Sequence, residues 1–199
     1  MANLKEIRNR ISSVTSTMKI TSAIKMVSAA KLKKAQDAIT AMKPYSEKLN
    51  DLMSSFSNVI SSSNISYLAS ERPIKKVLVV AIASNRGFCG AFNSNIVKKS
   101  VALKSEDKFS NAEFNFIVIG KKAHDVLCKT ENISKNKSEI FDDLSYDNSS
   151  QIIDEIINDF AEEKYDHVQL IYNSFKNAAN QIVKSEQLLP IVNDSESEA

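Results

Sequence analysis

The chain has 199 residues, 43% hydrophobic and 25% charged, with three glycines and no tryptophan. This is the balance of a globular protein able to bury one ordinary core and carry an appendage. No segment approaches the roughly eighteen uninterrupted apolar residues that a membrane span needs, so direct membrane insertion is not expected. The net charge of +2 hides an asymmetry. Residues 1–43 carry nine Lys or Arg against Glu6 and Asp37, a net of +7, which leaves −5 for the rest. A basic segment on an acidic body points to an acidic partner: a protein surface, a nucleic acid or an anionic membrane.

The first predicted element covers residues 1–60. Leu4, Ile7, Ile11, Val14 and Met18 recur at spacings of 3, 4, 3 and 4. The rhythm returns at Ala35, Ala38, Met42, Tyr45, Leu49, Leu52, Phe56 and Val59. A 3-4 repeat makes one apolar seam on a helix, as in a coiled coil. Between the two runs, residues 19–31 are rich in Ser, Thr and Ala, and Ile20, Ile24, Met26 and Val27 stand off the main seam. Such a thin helix, apolar on more than one side, suits a site crowded by several neighbours. At 1.5 Å per residue it would run roughly 80 Å, and its seam asks for a partner that the chain does not contain. Pro44 removes a backbone donor and clashes one turn back; since the seam continues from Met42 to Tyr45, a kink or local irregularity is expected there.

A polar linker, 61–73, follows and ends in Pro73. Then the period changes. Residues 77–83 form a continuous β-rich apolar run, the mark of a strand buried on both faces. A glycine-containing turn over 84–90 leads into a helix over 91–104. Residues 113–120 read as a second strand and 121–129 as a second helix; Ile133 and Ile140–Phe141 are candidates for a short third strand. Ser149 or Ser150 is a plausible N-cap for a helix with Ile152, Ile153, Ile156, Ile157 and Phe160 on its apolar face. Residues 166–175 and 181–192 read as further strands, and the acidic tail 193–199 as disordered. Alternating strands and helices predict an α/β class: a long N-terminal coiled-coil helix plus a Rossmann-like layered domain, residues 74–192, with a mostly parallel sheet.

Such a domain invites a nucleotide, yet the phosphate-loop pattern GxxxxGK followed by Ser or Thr is absent, and so is GxGxxG. With only Gly87, Gly90 and Gly120 available, no cofactor is expected. Cys89 sits beside Arg86 at a predicted helix N-terminus, which can lower a thiol pKa. His124 and His167 fall on other elements, and no base or oxyanion site accompanies the thiol. Cys89 is therefore read as a small residue packed in a tight turn, with a Rossmann-like thiol enzyme as the alternative, the helix then serving as an oligomerisation arm. Two lone histidines make no zinc site. Cys89 and Cys128 form no disulfide or metal pattern and indicate a reducing compartment; MANLKEIRNR is not a secretory signal. The pairs Asp142–Asp143, Asp154–Glu155 and Glu162–Glu163 are sequence neighbours and read as solvated surface. A nucleic-acid role for the basic helix lacks interleaved aromatics, the first being Tyr45.

Two stretches go further. LKEIRNRISSVTSTMKITSAIKMVSAAKLKKAQ, residues 4–36, resembles the amino-terminal helix of the F-type ATP synthase gamma subunit. SNRGFCGAFN, residues 84–93, resembles that family's SDRGLCGxxN turn after the first strand, and QLLPI near residue 190 also matches. One departure is Asn85, where the family usually has Asp; loss of the carboxylate is expected to weaken a local hydrogen bond. Family members continue with another strand and a long helix that pairs antiparallel with the first, whereas this chain stops in NDSESEA. The expectation is a truncated form, an incomplete gene product, or a divergent chain whose second helix comes from elsewhere.

The resemblance implies a central-stalk, non-catalytic rotor subunit. It would be peripheral, at the cytoplasmic face of the bacterial inner membrane or the equivalent organelle membrane. Its partners would be the alpha and beta subunits of the hexamer, the epsilon subunit and the membrane rotor ring. The family's coupling segment falls on Lys19, Ile20, Thr21, Ala23, Ile24, Met26, Val27 and Lys31. The family's structural turn falls on Ser84, Arg86, Gly87, Cys89, Gly90 and Asn93.

Overall fold

The computed structural model describes residues 3–60, 66–177 and 180–191, without the side chains of residues 50, 53–60 and 66. The chain divides into two compact units, Met1–Phe56 and Ser57–Ala199. The seam positions Phe56 and Val59 have no described side chain, and residues 61–65 of the expected linker and the acidic tail lie outside the described residues.

The first unit is helical. α1 runs Leu4–Ile60, 57 residues, and passes through Pro44 without a break. Thr17 and Thr21 turn their hydroxyls back onto the carbonyls of Ser13 and Thr17, at 3.0 and 2.8 Å, so these polar groups are satisfied by the helix itself. Arg10 and Glu6 form an i,i+4 pair at 3.0 Å, one of the few ion pairs on this helix. Leu4, Ile7, Ile11, Val14 and Met18 are all exposed, so none of the described residues covers this part of the seam.

The second unit is a five-stranded sheet in the order β3-β2-β1-β4-β5. A single turn, α2 (Ser66–Ala69), precedes β1 (Lys76–Ile82); then follow α3 (Phe92–Ala102), β2 (Glu113–Ile119) and α4 (Lys121–Leu127). β3 (Ile133–Asn136), α5 (Tyr146–Ala161), β4 (His167–Phe175) and β5 (Gln181–Leu189) complete it. β1, β2, β3 and β4 are parallel, and β5 is antiparallel to β4. Every central residue of β1 is buried because both faces are covered. Val77, Val79 and Ala81 pack with Ile96, Leu103, Phe109, Ala123 and Leu127 on one side. Leu78 and Val80 pack with Leu68, Ile152, Ile156 and Phe160 on the other.

Three expectations change. Ile140 and Phe141 belong to a short 3-10 turn, Ser138–Phe141, and not to a strand, because β3 has already ended at the sheet edge. The cap of α5 is Ser145 and not Ser149 or Ser150: the Ser145 side chain accepts the Asn148 amide, which starts the helix a turn earlier. The acids on α5 are more than solvated surface. Glu155 accepts Lys137 at 2.8 Å and Lys135 at 3.2 Å, and Asp159 accepts Lys164 at 2.8 Å. The two Glu155 bonds join α5 to the end of β3, and the Asp159 bond ties α5 to the chain that follows it. The hydrogen bond from Lys137, chiefly, holds the Glu155 carboxyl below its ordinary range.

Candidate functional site

Two regions carry the residues singled out in the sequence, one in each unit. On α1, Lys19, Ile20, Thr21, Ala23, Ile24, Met26, Val27 and Lys31 are all exposed. Ile20, Ile24, Met26 and Val27 keep 57–71% of their surface open. Among the described residues, Lys19, Lys25, Lys31, Lys33 and Lys34 have no ion-pair partner. The segment is therefore an apolar helical surface with unpaired ammonium groups alongside. Apolar groups with nearby lysines are suited to a partner that is apolar at its centre and acidic at its rim.

The second region is the turn after β1. The Ser84 amide donates to Asn93 Oδ1 at 3.0 Å, and Ser84 Oγ lies 2.6 Å from the Arg86 carbonyl and 3.0 Å from Asn93 Oδ1. Asn93 Nδ2 donates to the Arg86 carbonyl at 3.1 Å and to Cys89 Sγ at 3.2 Å. Ser84, Arg86, Cys89 and Asn93 thus form one hydrogen-bonded loop at the start of α3, with Asn93 as its hub. Gly90 has φ +60°, the left-handed region that glycine enters without strain. Phe88 adopts φ +59° as a non-glycine residue and is fully exposed. Gly87 needs neither space nor a left-handed backbone, and nothing in the structure explains a glycine there.

The turn is fastened to its neighbours by residues that the sequence did not single out for this purpose. Asn85 Oδ1 accepts the Lys121 amide at 2.9 Å, and its Nδ2 donates to the Ser138 carbonyl at 3.0 Å. The expectation that Asn85 weakens a local hydrogen bond is not what the structure shows: its amide both accepts and donates, and a carboxylate cannot donate. Buried Ser138 Oγ accepts the Gly120 amide at 3.0 Å. Gly120, at φ +123°, lies so close to Ala83 that a Cβ would fall 2.5 Å from the Ala83 carbonyl oxygen. A lone glycine directly after a buried strand was the signal available for this close approach.

Cys89 is exposed, contrary to its reading as a packed residue, in the turn beyond the carboxyl end of the central strand β1. Neither histidine accompanies it. His124 lies in α4, and buried His167 is hydrogen-bonded to Gln169 at 2.8 Å and sits edge-on to Phe109.

The sheet order switches at β1, where open α/β sheets hold ligands. A cleft of about 410 Å³ lies there, lined by Ile82, Ala83, Ser84, Phe92, Phe141, Leu170, Tyr172 and Asn173. Its polar groups are engaged within the fold. Asn173 Nδ2 donates to the Phe92 carbonyl at 3.0 Å, the Tyr172 hydroxyl donates to Glu186 at 2.9 Å, and Ser84 belongs to the turn.

A family model described as ATP synthase matches residues 3–199. The ATP synthase gamma chain of Christiangramia forsetii is 54% identical over 191 residues, 96% of this chain and 66% of that relative. The ATP synthase gamma chain of Flavobacterium psychrophilum is 53% identical over the same shares. The chain thus spans 66% of the length of these curated relatives. Among solved structures, a chain of the Tetrahymena thermophila mitochondrial ATP synthase central stalk and c-ring is 27% identical, with a TM-score of 0.56, over 86% of this chain and 72% of that one. A chain of the Euglena gracilis mitochondrial ATP synthase rotor is similar in fold, with a TM-score of 0.63 at 21% identity, over 94% of this chain and 62% of that one.

Proposed function

Since the chain belongs to the ATP synthase family, with gamma chains as its relatives, we propose that it serves as the central-stalk subunit of an F-type synthase. In this reading it carries torque between the membrane rotor ring and the alpha–beta hexamer and supplies no catalytic residue itself. One observation carries the reading: α1 presents a long apolar and basic surface that nothing among the described residues of its own chain covers. An exposed continuous apolar surface marks an interaction site.

The coupling segment is Lys19, Ile20, Thr21, Ala23, Ile24, Met26, Val27 and Lys31. Its lysines face acidic loops of the beta subunits, and its apolar residues meet the sleeve of the hexamer. Residues 1–60 form the shaft, 61–73 a linker, 74–192 the foot beneath the hexamer and 193–199 a tail. The epsilon subunit and the membrane ring meet the foot. The chain works at the cytoplasmic face of a bacterial inner membrane, or its organelle equivalent, held there by its partners; no helix among the described residues is long and apolar enough to cross a membrane.

Co-expression of a tagged chain with the alpha and beta subunits tests this. Both subunits should be retained through purification. Retention of neither, from cells that form the hexamer, would overturn the reading.

A further inference from the structure

We propose that Arg72, backed by Asp166, is a positioning residue that clamps the segment leading out of α1 onto the α/β unit, so that torque passes into α5 and the sheet. The inference rests on the rotor reading above. Torque carried by α1 can enter the second unit along the covalent chain only through the residues that precede β1. Apolar anchorage of that segment is confined to its two ends: Leu68 is buried in the second core cluster and Ile74 packs, half-buried, against the first. Polar joints hold the residues between and beside them.

Arg72 makes the central joint. Its Nη2 donates to the carbonyls of Phe160 and Tyr165, at 3.1 and 3.3 Å. These carbonyls flank the end of α5. The guanidinium also lies over the Phe160 ring, 4.4 Å from the centroid, and Phe160 is fully buried in the second core cluster. Stacking and a two-carbonyl fork together require a planar, multi-donor cation, which lysine is not. Glu163, at left-handed φ +58°, closes the end of α5 and lies 3.7 Å from Nη1. Its exposure makes this ion pair a weak one. Arg72 Nε is buried with no hydrogen-bond partner among the described residues. Burying an unpaired donor is unfavourable, so the position keeps arginine for what its other nitrogens and its face do.

Two further joints bracket it. Asp166 Oδ2 accepts the amides of Lys75 and Lys76, both at 3.0 Å, while the Asp166 amide donates to the Lys76 carbonyl at 2.9 Å. At the other end, the Leu68 carbonyl accepts the Ile191 amide at 2.8 Å. Residues 68–76 are therefore pinned successively to β5's exit, to the end of α5 and to the start of β4. None of these joints belongs to a strand ladder or a helix, so each can be loosened without removing an element of the sheet.

Hydrogen exchange of the chain with Arg72→Ala, Arg72→Lys or Asp166→Asn tests the clamp. Both Arg72 variants should speed exchange about tenfold over residues 66–76 and the last turn of α5, with residues 77–82 of β1 and all of β2 unchanged. Lysine should not rescue alanine; Asp166→Asn should act on residues 75–76 alone. Unchanged exchange over residues 66–76, or an equal rise across the whole sheet, overturns the clamp. In the assembled synthase, single-molecule rotation supplies the second readout. Arg72→Ala should widen the angular distribution of the stalled rotor about twofold while hydrolysis without load stays the same, as expected of a softened joint. A wild-type distribution in the variant overturns the torque role alone. A wild-type chain that enters no rotating complex overturns the rotor reading, and the torque role with it.

Discussion

Asn85 reaches from the turn after β1 to the backbone of Ser138, 53 positions later, and donates to its carbonyl at 3.0 Å. The same side chain accepts the Lys121 amide at 2.9 Å, so one amide group ties together the chain ends that follow three parallel strands. Replacing it with Asp keeps the acceptor, removes the donor and sets a carboxylate against a carbonyl oxygen. Asn85→Asp should lower stability by about 1 kcal/mol at pH 7. Denaturant unfolding reads this, and the deficit should shrink at acidic pH, where a protonated carboxyl can donate again. An equally stable variant at pH 7 would show that the bond to Ser138 contributes nothing.

Gly120 tests the same edge by sterics. A methyl group there would meet the Ala83 carbonyl oxygen at 2.5 Å, and the φ of +123° disfavours any side chain. The obstacle is backbone, which cannot rotate away. Gly120→Ala should cost about 3 kcal/mol or more, visible as a large fall in the thermal midpoint. Gly87→Ala, in open space, should shift it little; the contrast between the two is the measurement.

His167 gives the α/β unit a pH dependence. Burial, chiefly, pushes its imidazole below the usual value of 6.5; the Gln169 hydrogen bond opposes this, Lys108 adds to it, and Glu106 opposes it. A group whose folded pKa is depressed binds more protons when unfolded, so stability rises with pH through this range. The contribution is complete above about pH 6.5 and is lost as pH falls through the lower, folded value. Denaturation midpoints between pH 7.5 and 5 should decline in the wild type and decline less in His167→Gln. Parallel curves would assign the decline to other groups.

Exposure of α1 predicts weak protection. Amides of residues 7–27 in the chain at low concentration should exchange much faster than those of β1, where every central residue is buried. A concentration series separates this from self-association through the seam. Equal protection in a monomer would contradict the uncovered helix.

Ile24→Lys and Met26→Lys address coupling in the assembled synthase. A new charge on the apolar surface of α1 would be buried unpaired against the hexamer or would form a non-native ion pair. Either should reduce ATP-driven pumping more than hydrolysis. Pumping and hydrolysis are assayed side by side in one membrane preparation, and a proportional fall in both leaves only packing for this segment.

Local pattern was enough for α1, because a 3-4 seam over so many residues has no other regular conformation, and for β1, whose unbroken apolar run demands cover on two faces. The bonds among Ser84, Arg86 and Asn93 close within ten residues of chain, so this turn is a local structure. What Asn85, Gly120 and Ser138 do was not legible, since their partners arrive from other strands and only the sheet order brings them together. Arg72 stood in a polar linker with nothing nearby to mark it; its acceptors are the end of α5 and Tyr165, 88 and 93 positions away. The cap of α5 shifted to Ser145 because a serine caps only where the chain enters the helix, which tertiary packing decides. Periodicity reports which face must be buried. It cannot report which distant backbone groups a single polar side chain will satisfy, because that depends on how the layers are assembled.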